Sequence, residues 1–368
     1  MKVLVLWADH HSSNLGVRVL AEGSAALASR MWGRDVEVAF QDFAPGDSGL
    51  SFGGSNSVRD LGRASGPLKT RLREFDVVMD TGAGDSFTDI YGLKRLAIMA
   101  NVHRIARQLG IPIVMAPQTI GPFRTRVGRA IGARSLRGMS GVITRDPESQ
   151  NYAVSLGRAD AQLATDVVFA LPRPTGVKSR DVILNVSGLL FEDNTHVDHR
   201  AYREAIRALI NELQSVGRDV ALLAHVLDNP SGDNDVPVAR ALRQEFGDTV
   251  ELLIPSDLTQ AREWLSTGEV VIGSRMHACL NAISVGTPAI PWAYSRKFEP
   301  LLRQLGWDYV QNLHHDNDPV PETVALVQRW RSDPPTERLN QVNERAADIL
   351  EKVSLSVALD SSPVRDGR

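Results

Sequence analysis

The stretch Glu269-Val270-Val271-Ile272-Gly273-Ser274-Arg275-Met276-His277-Ala278 decides the fold. Its apolar, β-branched run predicts a buried strand over 269–272 that stops at Gly273, and a helix that begins near His277 and runs over 277–285. A short apolar run turning through small residues into a helical pattern is a βα junction of a parallel sheet. The same alternation extends on both sides. Strands are expected at 181–187, 219–226, 250–253 and 289–292, with helices at 198–215, 235–245, 258–266 and 297–305. The first half follows the same scheme, with strands at 2–7, 36–40, 75–80, 111–116, 141–144 and 167–171 and helices at 17–31, 89–109, 124–137 and 147–156. Residues 45–66 carry little periodicity and predict a long mobile loop, of a length that is usually functional or disordered. Apolar residues at helical spacing (Leu339, Val342, Ala346, Ile349, Leu350, Val353) predict a closing helix over 335–353, followed by a frayed tail of about a dozen residues.

Pro172-Arg173-Pro174-Thr175-Gly176 interrupts the alternation. The expectation is one Rossmann-like domain over 1–172, a second over 180–310 and closing helices over 320–354. The fold class is therefore α/β, with two doubly wound domains facing a central cleft. Ligands of open parallel sheets sit at the carboxyl ends of the strands, so chemistry is sought there.

Composition removes several functional classes. A chain of 368 residues suits two domains. With 41 Lys and Arg against 44 Asp and Glu, the net charge is −3, which lacks the basic footprint of a nucleic-acid binder. The single cysteine, Cys279, allows neither an intrachain disulfide nor a thiolate zinc cage, and fits a reducing cytoplasm. No apolar run reaches the length of a membrane span, and the one at the N-terminus is too short for a signal peptide. No histidine pair has HExxH spacing, so no metal is expected.

Four strand ends carry polar or glycine-rich residues. Asp9-His10-His11-Ser12-Ser13-Asn14-Leu15-Gly16 and Asp80-Thr81-Gly82-Ala83-Gly84-Asp85-Ser86 suit close approach of backbone to a ligand, or else are ordinary capped βα turns. The fourth strand ends in Gln118-Thr119-Ile120-Gly121-Pro122-Phe123, where Gln118 offers a donor and an acceptor. Arg145 follows the strand over 141–144 directly. It is either an anion clamp or a structural partner of Asp146, Glu148 or Asp166. Arg275 and His277 project from a helix N-terminus, where negative charge is favoured and a histidine titrates near neutrality. His10 and His11 are weaker candidates, and His103, His196, His199, His225, His314 and His315 have no supporting constellation in the sequence.

Together these motifs resemble the polysaccharide pyruvyltransferase family. Its Asn-x-Gly turn stands as Asn14-Leu15-Gly16, its Gly-rich turn as Gly82-Ala83-Gly84-Asp85, and its Gln-x-Ile-Gly-Pro-Phe loop as residues 118–123. Arg145-Asp146-Pro147-Glu148-Ser149 and Ser274-Arg275-Met276-His277 complete the order. Val17 and Ala83 depart from the family pattern, which has an acidic residue and a glycine there. The resemblance implies an architecture similar to GT-B glycosyltransferases, and transfer of pyruvyl from phosphoenolpyruvate to a sugar as a cyclic ketal, with release of phosphate and no further cofactor. The acceptor it implies is a glycan or lipid-linked sugar. Arg275 and Arg145 become donor clamps and His277 an acid/base or phosphate ligand. Ser274, Asn14, Gly16, Gly82, Gly84, Asp85, Gln118 and Lys297 become substrate contacts, with the acceptor on the first domain. The alternatives are a nucleotide-sugar glycosyltransferase, for which Glu299 would grip the ribose, and a non-catalytic binder of anionic glycans.

Overall fold

The computed structural model describes residues 1–53, 56, 60, 65–230, 232–314 and 318–356. Residues 54, 55, 57–59 and 61–64 of the loop predicted over 45–66, together with His315 and the expected frayed tail, lie outside the described residues. Strands β1 (Lys2–Leu6), β2 (Glu37–Gln41), β3 (Val77–Asp80), β4 (Ile113–Gln118), β5 (Gly141–Thr144) and β6 (Gln162–Leu163) form one parallel sheet, ordered β2-β1-β3-β4-β5-β6. A second parallel sheet contains β7 (Arg180–Asn185), β8 (Val220–Leu223), β9 (Val250–Leu253), β10 (Gly268–Gly273), β11 (Ala289–Ala293) and β12 (Gln311–Asn312), ordered β12-β11-β10-β7-β8-β9. The inner strands are buried along most of their length, as β3, β4 and β8 show. That is why they read as continuous apolar runs instead of alternating ones.

Two compact units result. The first comprises Met1–His10, Leu20–Leu171 and the chain from Ala346; the second comprises His11–Val19 and Pro172–Arg345. Residues 11–19, which include Asn14 and Gly16, thus belong to the second unit and not to the first, where they were expected. The cause is backbone pairing. Leu15 donates to the His225 carbonyl at 3.1 Å, Leu227 donates to the Ser13 carbonyl at 2.7 Å, and Asn14 forms an antiparallel bridge with Val226.

The strand expected at 167–171 is a 3-10 helix, Val167–Ala170. Val167, Val168 and Ala170 are buried, but the Asp166 carboxylate caps the turn by accepting from the Val168 amide at 3.0 Å. The sheet's edge is instead the short β6.

At the carboxyl end of β3, the buried Asp80 carboxylate accepts from Trp7 Nε1 at 2.7 Å and from the Gly82 amide at 2.6 Å. It also meets His103 Nε2, while His103 Nδ1 meets the Ser135 hydroxyl. An Asp–His–Ser line normally suggests nucleophilic catalysis. Here Asp80 and His103 are fully buried and Ser135 is 3% exposed, so the line braces the glycine turn instead of meeting a substrate. Asp80→Ala strands three buried donors and should lower unfolding stability by about 3–5 kcal/mol in urea denaturation, whereas Ser135→Ala should cost about 1–3 kcal/mol.

Candidate functional site

In the second unit the site is built at adjacent strand ends. β7 and β10 pair with Gly273 opposite Asn185, so the loop after β10 starts beside Asn185. The Asn185 Oδ1 accepts from the Arg275 amide at 3.0 Å, while its Nδ2 donates to the Leu223 carbonyl at 3.0 Å. Arg275 thereby becomes the residue ahead of the helix Met276–Ser284.

The Arg275 guanidinium is only 7% exposed. Its Nε and Nη2 donate to Asp235 Oδ1 at 3.2 and 2.6 Å, and Nη2 also meets Asp233. Both carboxylates hold the guanidinium charged against the cost of burial. Asp235 is fully buried and does more. Its Oδ1 accepts from the Gly188 amide at 2.9 Å, and its Oδ2 accepts from the amides of His225 and Val226 at 3.0 and 2.9 Å. One carboxylate therefore ties the ends of β7, β8 and β10 together. It was not among the residues expected, and its only signal in the sequence was the helix start expected at 235.

Ser274 is buried, with its Oγ 2.7 Å from the Tyr202 hydroxyl, which in turn accepts from the Ser187 amide at 3.2 Å. Burial pushes the Tyr202 phenol up, so it stays neutral. His277 is half-buried, and Gly16 lies against it: a Cβ on Gly16 would come 2.8 Å from His277 Nδ1. The Gly16 amide donates to Asn14 Oδ1 at 2.9 Å. Asn-x-Gly and Ser-Arg-x-His thus form one piece of structure despite their separation in the chain. Beside them lies His225, which the sequence left without a role. Burial, and then the neighbouring His277 and Arg275, push its imidazole well below the ordinary histidine range. Lys297 precedes the helix Phe298–Leu305 beyond β11, and on that helix Glu299 Oε1 accepts from Asn312 Nδ2 at 3.3 Å.

The remaining candidates, His11 apart, lie on the first unit. Gly82, Ala83 and Gly84 all have positive φ (54°, 50° and 81°), so Ala83 adopts the left-handed backbone that a glycine takes more easily. Gln118 is fully buried over this turn, its Oε1 1.2 Å from where a Gly82 Cβ would stand. Neither end of its carboxamide has a hydrogen-bond partner among the described residues. Asp85 accepts from the Tyr91 hydroxyl at 3.0 Å. His10 pairs with Asp47 at 3.7 Å, and His11 is exposed on the second unit.

Arg145 requires correction as an anion clamp. It is 1% exposed; Nε and Nη2 donate to Thr119 Oγ1 at 2.9 and 2.6 Å, and Nη1 donates to Asp166 at 3.3 Å. A buried guanidinium needs a carboxylate close by, and Asp166 supplies it. The rest of that motif is also structural. Asp146 accepts from the Ser149 amide and hydroxyl at 2.8 and 2.7 Å, and Ser149 Oγ accepts from the Ile120 amide at 3.1 Å. The Arg-Asp-x-x-Ser segment therefore fastens the Gln118–Phe123 loop.

Two measurements test this geometry. Gly16→Ala should leave the fold intact but displace the His277 ring, seen as a changed imidazole chemical shift in NMR. For His225 the folded state resists the proton that the unfolded state accepts near pH 6.5, so its contribution is complete above that pH and lost as pH falls below it. Stability should decline by up to about 1.4 kcal/mol per pH unit there, and His225→Asn should flatten that slope.

Residues 14–296 match the sequence family described as Polysaccharide pyruvyl transferase. Solved structures share the fold at low sequence identity. UDP-GlcNAc 2-epimerase from Methanocaldococcus jannaschii is 10% identical with a TM-score of 0.56, over 96% of this chain and 100% of that one. Anabaena HepE in complex with UDP-glucose is 13% identical with a TM-score of 0.54, over 98% and 97%. Sucrose-phosphate synthase from Thermosynechococcus elongatus is 13% identical with a TM-score of 0.52, over 97% of each. These neighbours make the architecture GT-B-like. The match spans most of the chain and includes all five motifs, so this protein belongs to the polysaccharide pyruvyl transferase family.

Proposed function

We propose that the protein transfers a pyruvyl group from phosphoenolpyruvate to two hydroxyls of one sugar, giving a cyclic ketal and phosphate. The observation that carries this reading is the buried, carboxylate-braced Arg275 beside His277 at a helix N-terminus. Such a place favours a small anion with phosphate and carboxylate groups. Arg275 reaches the donor with Nη1, the nitrogen that neither Asp233 nor Asp235 engages. Asp233, whose side chain is 39% exposed, is the carboxylate with which an arriving anion competes.

In the reaction one acceptor hydroxyl bonds to C2 of the donor while a proton adds to the C3 methylene, making it a methyl group. A second hydroxyl then bonds to C2 as the C2–O bond to phosphate breaks. One hydroxyl proton is matched by the methyl group, and the other leaves with phosphate. His277 is assigned the proton for C3, since bound phosphate favours its charged form. Ser274, held by Tyr202, orients the donor, and Lys297 adds positive charge after β11. The acceptor is assigned to the glycine turn and Gln118, whose unpartnered carboxamide suits sugar hydroxyls, with Asn14 and Asp85 as further contacts. Arg145 serves here as a positioning residue for the Gln118 loop. A glycan or lipid-linked sugar in the cytoplasm is the acceptor class; no helix among the described residues is long and apolar enough to cross a membrane.

Calorimetry with phosphoenolpyruvate and with UDP-glucose, then phosphate release and acceptor mass with candidate glycans, tests the reading. Selective binding of phosphoenolpyruvate and a mass gain of one pyruvyl ketal are expected; selective binding of UDP-glucose contradicts it. Arg275→Lys should weaken donor binding because an ammonium lacks the planar fork. His277→Gln should bind the donor within a few-fold but lose about 10²–10⁴ in kcat. Retained kcat with lost binding would make His277 a phosphate ligand only.

A further inference from the structure

Resting on that donor reading, we propose that His225 is a further donor-binding residue, presenting a neutral N–H from Nδ1 to an oxygen of the bound anion beside Arg275 and His277. The assignment follows from a chain of hydrogen bonds that fixes its tautomer. Arg262 Nη1 donates to Asn281 Oδ1 at 2.6 Å; a guanidinium only donates, so this atom of Asn281 is the oxygen. Asn281 Nδ2 is therefore the amide nitrogen, and it donates to the His277 carbonyl at 2.8 Å and to His225 Nε2 at 3.2 Å. His225 Nε2 must be the acceptor, which places the ring proton on Nδ1.

The rest of His225 is fixed as firmly. Its amide is held by Asp235 and its carbonyl by the Leu15 amide. The residue is 1% exposed, and among the described residues nothing accepts from Nδ1. Nδ1 is not sealed within the core, so this N–H can meet an incoming acceptor. Arg275 and the His277 imidazole lie near the ring, and Asp235 holds its backbone amide; an anion bound by Arg275 is the acceptor assigned to Nδ1. Burial first, and then these neighbours, oppose protonation of the ring, which keeps it a donor at one nitrogen only. His225 would thus bind without moving a proton, in contrast to His277.

Substitution separates the two ring nitrogens. Asparagine at 225 places an amide nitrogen where Nδ1 stands, glutamine places one where Nε2 stands, and leucine supplies neither. Calorimetry with phosphoenolpyruvate should show His225→Asn within about threefold of wild type, with His225→Gln and His225→Leu weaker by roughly ten- to a hundredfold. In turnover the Leu variant should raise KM for the donor far more than it lowers kcat. Near-UV circular dichroism and thermal melting establish that each variant is folded; if the Leu variant is not, the Asn and Gln pair decides. Wild-type affinity in the folded Leu variant, or equal losses in the Asn and Gln variants, overturns the assignment. Failure of the wild-type protein to bind phosphoenolpyruvate removes the donor reading, and this assignment with it.

Discussion

The second unit depends on a single buried carboxylate. Asp235 takes two hydrogen bonds from the Arg275 guanidinium and one from each of three backbone amides, all in a place closed to solvent. An isolated carboxylate there would be prohibitively costly, and so would an isolated guanidinium. Each makes the other tolerable, and the backbone donors consume the remaining lone pairs. Strand ends that would otherwise be loosely connected loops are thereby fixed against one another. Arg275 is held rigid, with Nη1 outside both ion pairs.

The family's motifs acquire physical meaning from this arrangement. Asn-x-Gly and Ser-Arg-x-His lie far apart in the chain but share one contact, Gly16 against the His277 ring. Glycine lets the ring lie there, because a Cβ would come 2.8 Å from Nδ1 and push it aside. On the first unit the other three motifs form a second structure: Asp80 holds the Gly82 amide, Gln118 lies over Gly82, and Ser149 holds the Ile120 amide. Several motif residues therefore hold loops in place. Arg145 is the clearest case, because its donors are consumed by Thr119 and Asp166.

Much of this was legible in the sequence wherever local signals suffice. Apolar runs ending in polar or glycine-rich residues located the strand ends, and the run before Gly273 located the loop that carries Arg275 and His277. What stayed hidden depends on partners distant in the chain. Asp235 reads as an ordinary acidic residue at a helix start; only the approach of Gly188, His225 and Arg275 makes it central. Tyr202, Asn281 and Arg262 read as helix residues, and their roles are hydrogen bonds to other elements. The β-branched Val167-Val168 pair suggested a strand, but a capping aspartate outweighed it. Residues 11–19 read as part of the first domain because nothing local reveals their pairing with the segment after β8.

Amide hydrogen exchange in Asp235→Asn tests the central claim most directly. The substitution keeps the shape but removes the charge and turns one acceptor into a donor, which must then face either Arg275 or two backbone amides. The account predicts that protection at Gly188, His225 and Val226 falls together, with global stability lower by about 3–5 kcal/mol. Wild-type protection at those three amides, with stability unchanged, would contradict it.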